Sequence, residues 1–141
     1  MKGLTFESFI AHETNQAAYD LCAKVAALDA TLPRPIVLLG EQGAGKSHLL
    51  WSIVNHFRIN NMKVGVALIS AKDFPNKVKR LADAPENLSA GRPVFLLVDD
   101  LHLFDKDMEA LERVLFAIHE HGHMAVLATS IHPNVLPSLS G

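Results

Sequence analysis

Cysteine, tryptophan and tyrosine each occur once in 141 residues. The single thiol, Cys22, rules out an internal disulfide, so the fold has to be held by its core. The N-terminus also lacks the basic-then-apolar pattern of a secretion signal, which makes the cytoplasm the expected compartment. Long apolar runs are missing as well. The longest, such as Val94–Val98, are strand-sized and far short of the ~20 residues a membrane span needs. Nor is there an excess of positive charge: 13 Lys and Arg against 15 Asp and Glu leave a net charge of -2. Such a chain has no global attraction to nucleic acid or anionic lipid, and DNA binding by it is expected to be weak or indirect. Apolar residues are plentiful, at 49 % against 20 % charged, the balance of one packed globular domain.

Apolar positions Ala18, Leu21, Cys22, Val25 and Leu28 recur at three- and four-residue steps, which predicts an amphipathic helix over 15–28. The Thr-Leu-Pro-Arg-Pro segment at 31–35 then forces extended backbone. A short apolar strand is expected at Ile36–Leu39. Leu49, Leu50, Ile53, Val54 and Phe57 predict a second helix starting near Gly45 and ending at the turn-prone pair Asn60-Asn61, with a strand over 64–69 beyond. A short helix is expected over 76–82 and a third strand at Val94–Val98. Asp105 is placed to cap a helix carrying Met108, Leu111, Leu115 and Ile118, Gly122 to close it, and a fourth strand is expected over 124–128. Strands alternating with helices predict an α/β fold, a parallel sheet of at least four strands with helices on both faces.

Between the first strand and the second helix stands Gly40-Glu-Gln-Gly-Ala-Gly-Lys-Ser47, which fits G-x-x-x-x-G-K-[ST] in the strand-to-helix setting that its mechanics require. Glycines 40, 43 and 45 let the backbone bend so that successive N–H groups point at phosphate oxygens, and the helix N-terminus adds partial positive charge. Gly40, Gln42, Gly43, Ala44, Gly45, Lys46 and Ser47 are therefore candidate contacts for a nucleoside triphosphate, expected to be ATP. Lys46 would reach the outer phosphates, and Ser47 would ligate Mg²⁺. A merely structural glycine turn would not explain why lysine and serine follow.

The third strand ends in Asp99-Asp100, and a phosphate-loop site needs an acid that holds Mg²⁺ from the side opposite the serine. Asp99 is the candidate, brought to Ser47 if the first and third strands are neighbours. Asp100 could orient or deprotonate an attacking water, although aspartate is also common as a plain loop or capping residue. Thr129 and Ser130 end the fourth strand, and one of their hydroxyls could face the γ-phosphate or the water; the competing reading is local backbone satisfaction. His119, His121 and His123 alternate around Gly122, but with no nearby cysteine they read as exposed loop histidines rather than a metal site.

These residues resemble those of the AAA+ ATPases, specifically the DnaA-type replication initiators and their regulatory relatives. Leu4-Thr-Phe-Glu-Ser-Phe-Ile10 with Asn15 is similar to the family's segment near the adenine, which implicates Phe9, Ile10 and Asn15. Gly45-Lys-Ser-His-Leu-Leu50 resembles its phosphate loop and adds His48. Leu97-Val-Asp-Asp-Leu-His102 resembles its acidic box, and Val126-Leu-Ala-Thr-Ser130 its fourth strand. The resemblance departs after Ser130, where Ile131 and His132 stand in place of an acidic then a basic residue. No Arg or Lys follows Arg113, so the family's arginine finger, helical lid and duplex-binding domain would lie beyond Gly141. The chain thus reads as a single AAA+ core over 1–141, either excised or abbreviated.

The resemblance implies a nucleotide switch in bacterial replication initiation or its regulation, acting with a protein partner or in an AAA+ oligomer. ATP hydrolysis would be weak in the isolated chain. A reading of a different class is an ATP-dependent loader or adaptor that recruits a protein partner without binding DNA itself. A small-molecule kinase would need an Arg-rich lid after the acidic strand, and none is present.

Overall fold

The computed structural model describes residues 3–9, 15–40, 45–73 and 92–130. Within them, helix α1 spans Gln16–Ala26, strand β1 Ile36–Leu39, helix α2 Lys46–Ile59, strand β2 Gly65–Ile69, strand β3 Val94–Val98, helix α3 Met108–Glu120 and strand β4 Met124–Thr129. All four strands pair in parallel, in the order β1-β4-β3-β2. The helix expected over 76–82 lies outside the described residues.

Period-two and period-3.6 patterns meet in two apolar layers, one on each face of the sheet. On one side Cys22 and Val25 of α1 and Leu49, Leu50, Ile53 and Phe57 of α2 pack on Leu38, Phe95, Leu97 and Val126. On the other, Leu111, Val114 and Ile118 of α3 pack with Phe104 on Leu96, Val98, Ala125 and Leu127. All six residues of β4 are buried, as a central strand covered on both faces must be. Burial pushes the Cys22 thiol up to about 12, so it serves as a core side chain and not as a nucleophile.

Two local expectations need correction. Asp105 does not cap α3: residues Asp105–Asp107 form a 3₁₀ turn that follows another at Leu101–Leu103, and the helix starts after Asp107, with no side-chain cap. Phe104 between the two turns is 1 % exposed, so the chain dips to bury that ring before the helix can begin. The histidines after α3 are not uniformly loop residues either. His121 is exposed, whereas His123 is half-buried and accepts the Val94 N–H on Nδ1 at 3.2 Å. Among the described residues no group of three or more His, Cys, Asp or Glu is arranged to hold a metal ion.

The three α-helices among the described residues end the same way, with a left-handed residue and a pair of reversed hydrogen bonds. After α3 this residue is Gly122 at φ 72, with Gly122 and His123 N–H donating to the carbonyls of His119 and Ile118. After α2 it is Asn61 and after α1 it is Leu28, at φ 61 and 43 % exposed. Leucine is poorly suited to this slot. Its left-handed backbone costs about 1 to 2 kcal/mol, more than the chain entropy glycine would add, so Leu28→Gly should stabilise the fold by about 0.5 to 1 kcal/mol. Urea unfolding would measure this. An unchanged or lower midpoint would mean that the Leu28 side chain contributes more by packing than its backbone costs.

Candidate functional site

In a parallel sheet every strand ends at the same edge, and here that edge gathers the chemistry. β1 leads into Gly40, β3 into Asp99 and Asp100, and β4 into Thr129 and Ser130. Leu39 is in register with Thr129, and Val98 with Leu127, so the three exits are level to within about two residues.

Gly45 supplies the backbone at the start of α2. Its φ of 92 lies in the left-handed region, and a Cβ there would sit 2.7 Å from the Phe9 ring. Only glycine meets both conditions. Lys46, half-buried, donates from Nζ to the Gly40 carbonyl at 2.7 Å, which lays its side chain back along the loop. Ser47 donates from Oγ to Asp99 Oδ2 at 2.6 Å. The other oxygen of that carboxylate, Oδ1, accepts the Asp100 N–H at 3.0 Å, and Asp99 N–H in turn bonds the Ile69 carbonyl at 2.8 Å. The carboxylate is thereby fixed by its own turn and aimed at the serine.

This contact forms although the condition attached to it fails: β1 and β3 are not neighbours, because β4 lies between them. Two strand spacings separate them, about 10 Å. Ser47 in the first turn of α2 reaches Asp99 all the same, through two short side chains.

Asp100 stands at φ 50, ψ 49, one of three non-glycine residues with positive φ among the described residues. Such backbone costs energy and persists where the surroundings over-determine it. Asp100 ends the strand abruptly, and its carbonyl accepts the Leu103 N–H at 2.9 Å to start the 3₁₀ turn. Thr129 is fully buried and Ser130 half-buried beside this turn.

The N-terminal segment is strapped to α2. Buried Asn55 donates from Nδ2 to the Leu4 carbonyl at 2.8 Å, and His48 Nε2 donates to the Thr5 carbonyl at 2.9 Å. Phe9 stacks on Tyr19 of α1 and meets the His48 ring edge-on, with centroids 5.5 and 5.2 Å apart. The His48 ring is thus committed to this strap. Asn15 is buried at the start of α1, its carbonyl bonded to the Tyr19 N–H. Ile10, Gln42, Gly43 and Ala44 lie outside the described residues.

The residue that sequence reasoning passed over is His102. Its Nδ1 accepts the Ser130 N–H at 3.2 Å and lies 3.5 Å from Thr129 Oγ1. A histidine just past the paired aspartates was the available signal. Its partner across the sheet could not be read without the strand order.

The model of the bacterial DnaA ATPase domain matches this chain over residues 1–141. The chain belongs to that DnaA ATPase-domain family. The chromosomal replication initiator protein DnaA of Citrifermentans bemidjiense is 32 % identical over 143 residues, covering 96 % of this chain and 31 % of its own length. Domain III of the Thermotoga maritima DnaA is similar in structure, with a TM-score of 0.73 and 26 % identity over 94 % of this chain and 58 % of that one. The AMPPCP-bound DnaA from Aquifex aeolicus gives a TM-score of 0.75 at 23 % identity, over 96 % of this chain and 44 % of that one, and so shares the fold. The chain spans about a third of the length of the curated DnaA proteins that it matches. No helix among the described residues is long and apolar enough to cross a membrane.

Proposed function

We propose that this DnaA-type domain binds ATP with Mg²⁺ at the exits of β1, β3 and β4 and acts as a nucleotide switch in bacterial replication initiation or its regulation. The observation that carries the reading is the 2.6 Å contact between Ser47 Oγ and Asp99 Oδ2, made by two residues 52 positions apart in the chain. A hydroxyl and a carboxylate, both hard oxygen donors, converge beside a phosphate loop, which is the donor chemistry that Mg²⁺ takes. The family membership and the fold shared with an AMPPCP-bound DnaA support ATP as the nucleotide.

In this reading each residue has one task. Lys46 would bind a phosphate oxygen of the nucleotide, and N–H groups of the loop would bind others. Ser47 and Asp99 would hold the metal. Mg²⁺ would supply neutralisation of the phosphate charge. Asp100, on the strained turn, would orient an attacking water, and a hydroxyl at the end of β4, from Thr129 or Ser130, would answer the γ-phosphate. Direct DNA binding by this chain is weak and salt-dependent, given its net charge of -2, and further copies or a protein partner complete the working assembly.

Asp99→Asn keeps the shape and removes the charge. The Mg²⁺ concentration that half-saturates ATP binding should rise about tenfold, while Asp100→Asn should leave binding intact. Titration calorimetry at several Mg²⁺ concentrations measures both. Equal Mg²⁺ dependence in the Asp99 variant and wild type would remove Asp99 from the metal site.

A further inference from the structure

The ladder between β3 and β4 stops early. Its last pair is Val98 with Leu127, because Asp100 turns left-handed and takes the chain out of the sheet, while β4 runs on to Thr129. Beyond Leu127 the β3 side of β4 has no strand backbone to answer it. Backbone N–H groups in such a place need another acceptor. His102 provides it. The 3₁₀ turn at Leu101–Leu103 brings the half-buried imidazole back against β4, where Nδ1 takes the Ser130 N–H at 3.2 Å. An N–H can only donate, so this nitrogen carries no proton and the ring is the Nε2–H tautomer.

We infer that His102 is a positioning residue: its Nδ1 replaces the missing rung between β3 and β4 and fixes the exit that bears Asp99 and Asp100 at one distance from the exit that bears Thr129 and Ser130. The metal side and the γ-phosphate side of the site are then coupled through one side chain. The rung lies on the sheet edge between the two exits, so its loss affects a ligand that touches both more than one that touches the first alone. ATP reaches the γ-phosphate side and ADP does not. This inference rests on the nucleotide site proposed above, and one of its two tests is independent of that site.

The variants are His102→Ala, which removes the acceptor, and His102→Asn, whose amide oxygen lies close to where Nδ1 stands. In the nucleotide-free chain, hydrogen exchange at the Ser130 amide should be slow in wild type and His102→Asn, and about tenfold faster in His102→Ala. That result needs no ligand. With nucleotide, the ratio of ATP to ADP affinity should fall about tenfold in His102→Ala, with ADP affinity within about twofold of wild type, and should recover in His102→Asn. A melting curve for each variant separates these effects from general unfolding. Equal Ser130 exchange in all three proteins would overturn the inference. An affinity ratio lost equally in the alanine and asparagine variants would also overturn it, since ring volume and not the acceptor would then be what matters. If wild type binds neither nucleotide, the proposed site fails while the exchange result still decides whether His102 is the rung.

Discussion

Lys46→Ala should lower ATP affinity by about 100-fold, enough to take it out of calorimetric range, because a charge-assisted hydrogen bond to a phosphate is lost and nothing replaces it. The circular dichroism spectrum should stay native. Lys46 makes a 2.7 Å bond to the Gly40 carbonyl, and losing one half-buried bond of that kind costs about 1 kcal/mol, well within the stability of a packed domain. The two magnitudes differ enough to separate binding from folding. Undiminished affinity in the variant would show that the lysine side chain is not a phosphate ligand, and the site would have to be placed elsewhere.

The second large effect concerns turnover. In the proposed site Lys46, Ser47, Asp99 and Asp100 would supply the phosphate, metal and water-orienting groups, but positive charge for the transferring phosphoryl is scarce. Among the described residues, Arg113 is exposed on α3, Arg58 is exposed near the end of α2, and Arg34 and Arg92 lie at the opposite edge of the sheet, Arg34 bonded to the Gly122 carbonyl and Arg92 exposed ahead of β3. An arginine delivered to the transition state contributes about 10³ to 10⁵ in rate. The isolated chain should therefore release phosphate slowly, and a neighbouring copy or partner that inserts an arginine should raise the rate by that order. Steady-state release measured across a concentration series tests this. Fast turnover that persists at high dilution and disappears in Asp100→Asn would make the lone chain catalytically complete.

The strands were legible in the sequence because their residues carry two kinds of information at once. Val94–Val98 and Met124–Thr129 are apolar on successive positions, which only strands buried on both faces require, and glycine or proline bounds them closely. The strand-to-helix setting on either side of residues 40–47 was legible because the pattern of glycines, lysine and serine is tied to it. The start of α3 was not, since the burial of Phe104 decides it and Asp105 looks like a sound cap on local grounds. The order β1-β4-β3-β2 could not be read either. Strand order depends on which apolar faces find each other at long range, and nothing within a strand names its neighbour. His102 fell in the same gap, since its role is defined only by what lies beside it. Leu28 was read as the last apolar residue of the first helix, and the helix ends at Ala26 with Leu28 in its left-handed turn.

β4 as the wedge between β1 and β3 gives the site a history as well as a shape. The chain makes the phosphate loop first and the aspartate pair much later, and neither strand touches the other in the finished sheet. They are joined by the strand that follows both. A chain still short of Met124 would hold Lys46, Ser47, Asp99 and Asp100 with nothing to set the distance between the two pairs. The pairing of Ile36 with Val126 also spans most of the chain, a non-local closure of the kind that folds slowly. Nucleotide affinity at the proposed site would therefore emerge late and all at once on folding, so that the capacity to hold a ligand would report that synthesis has passed β4.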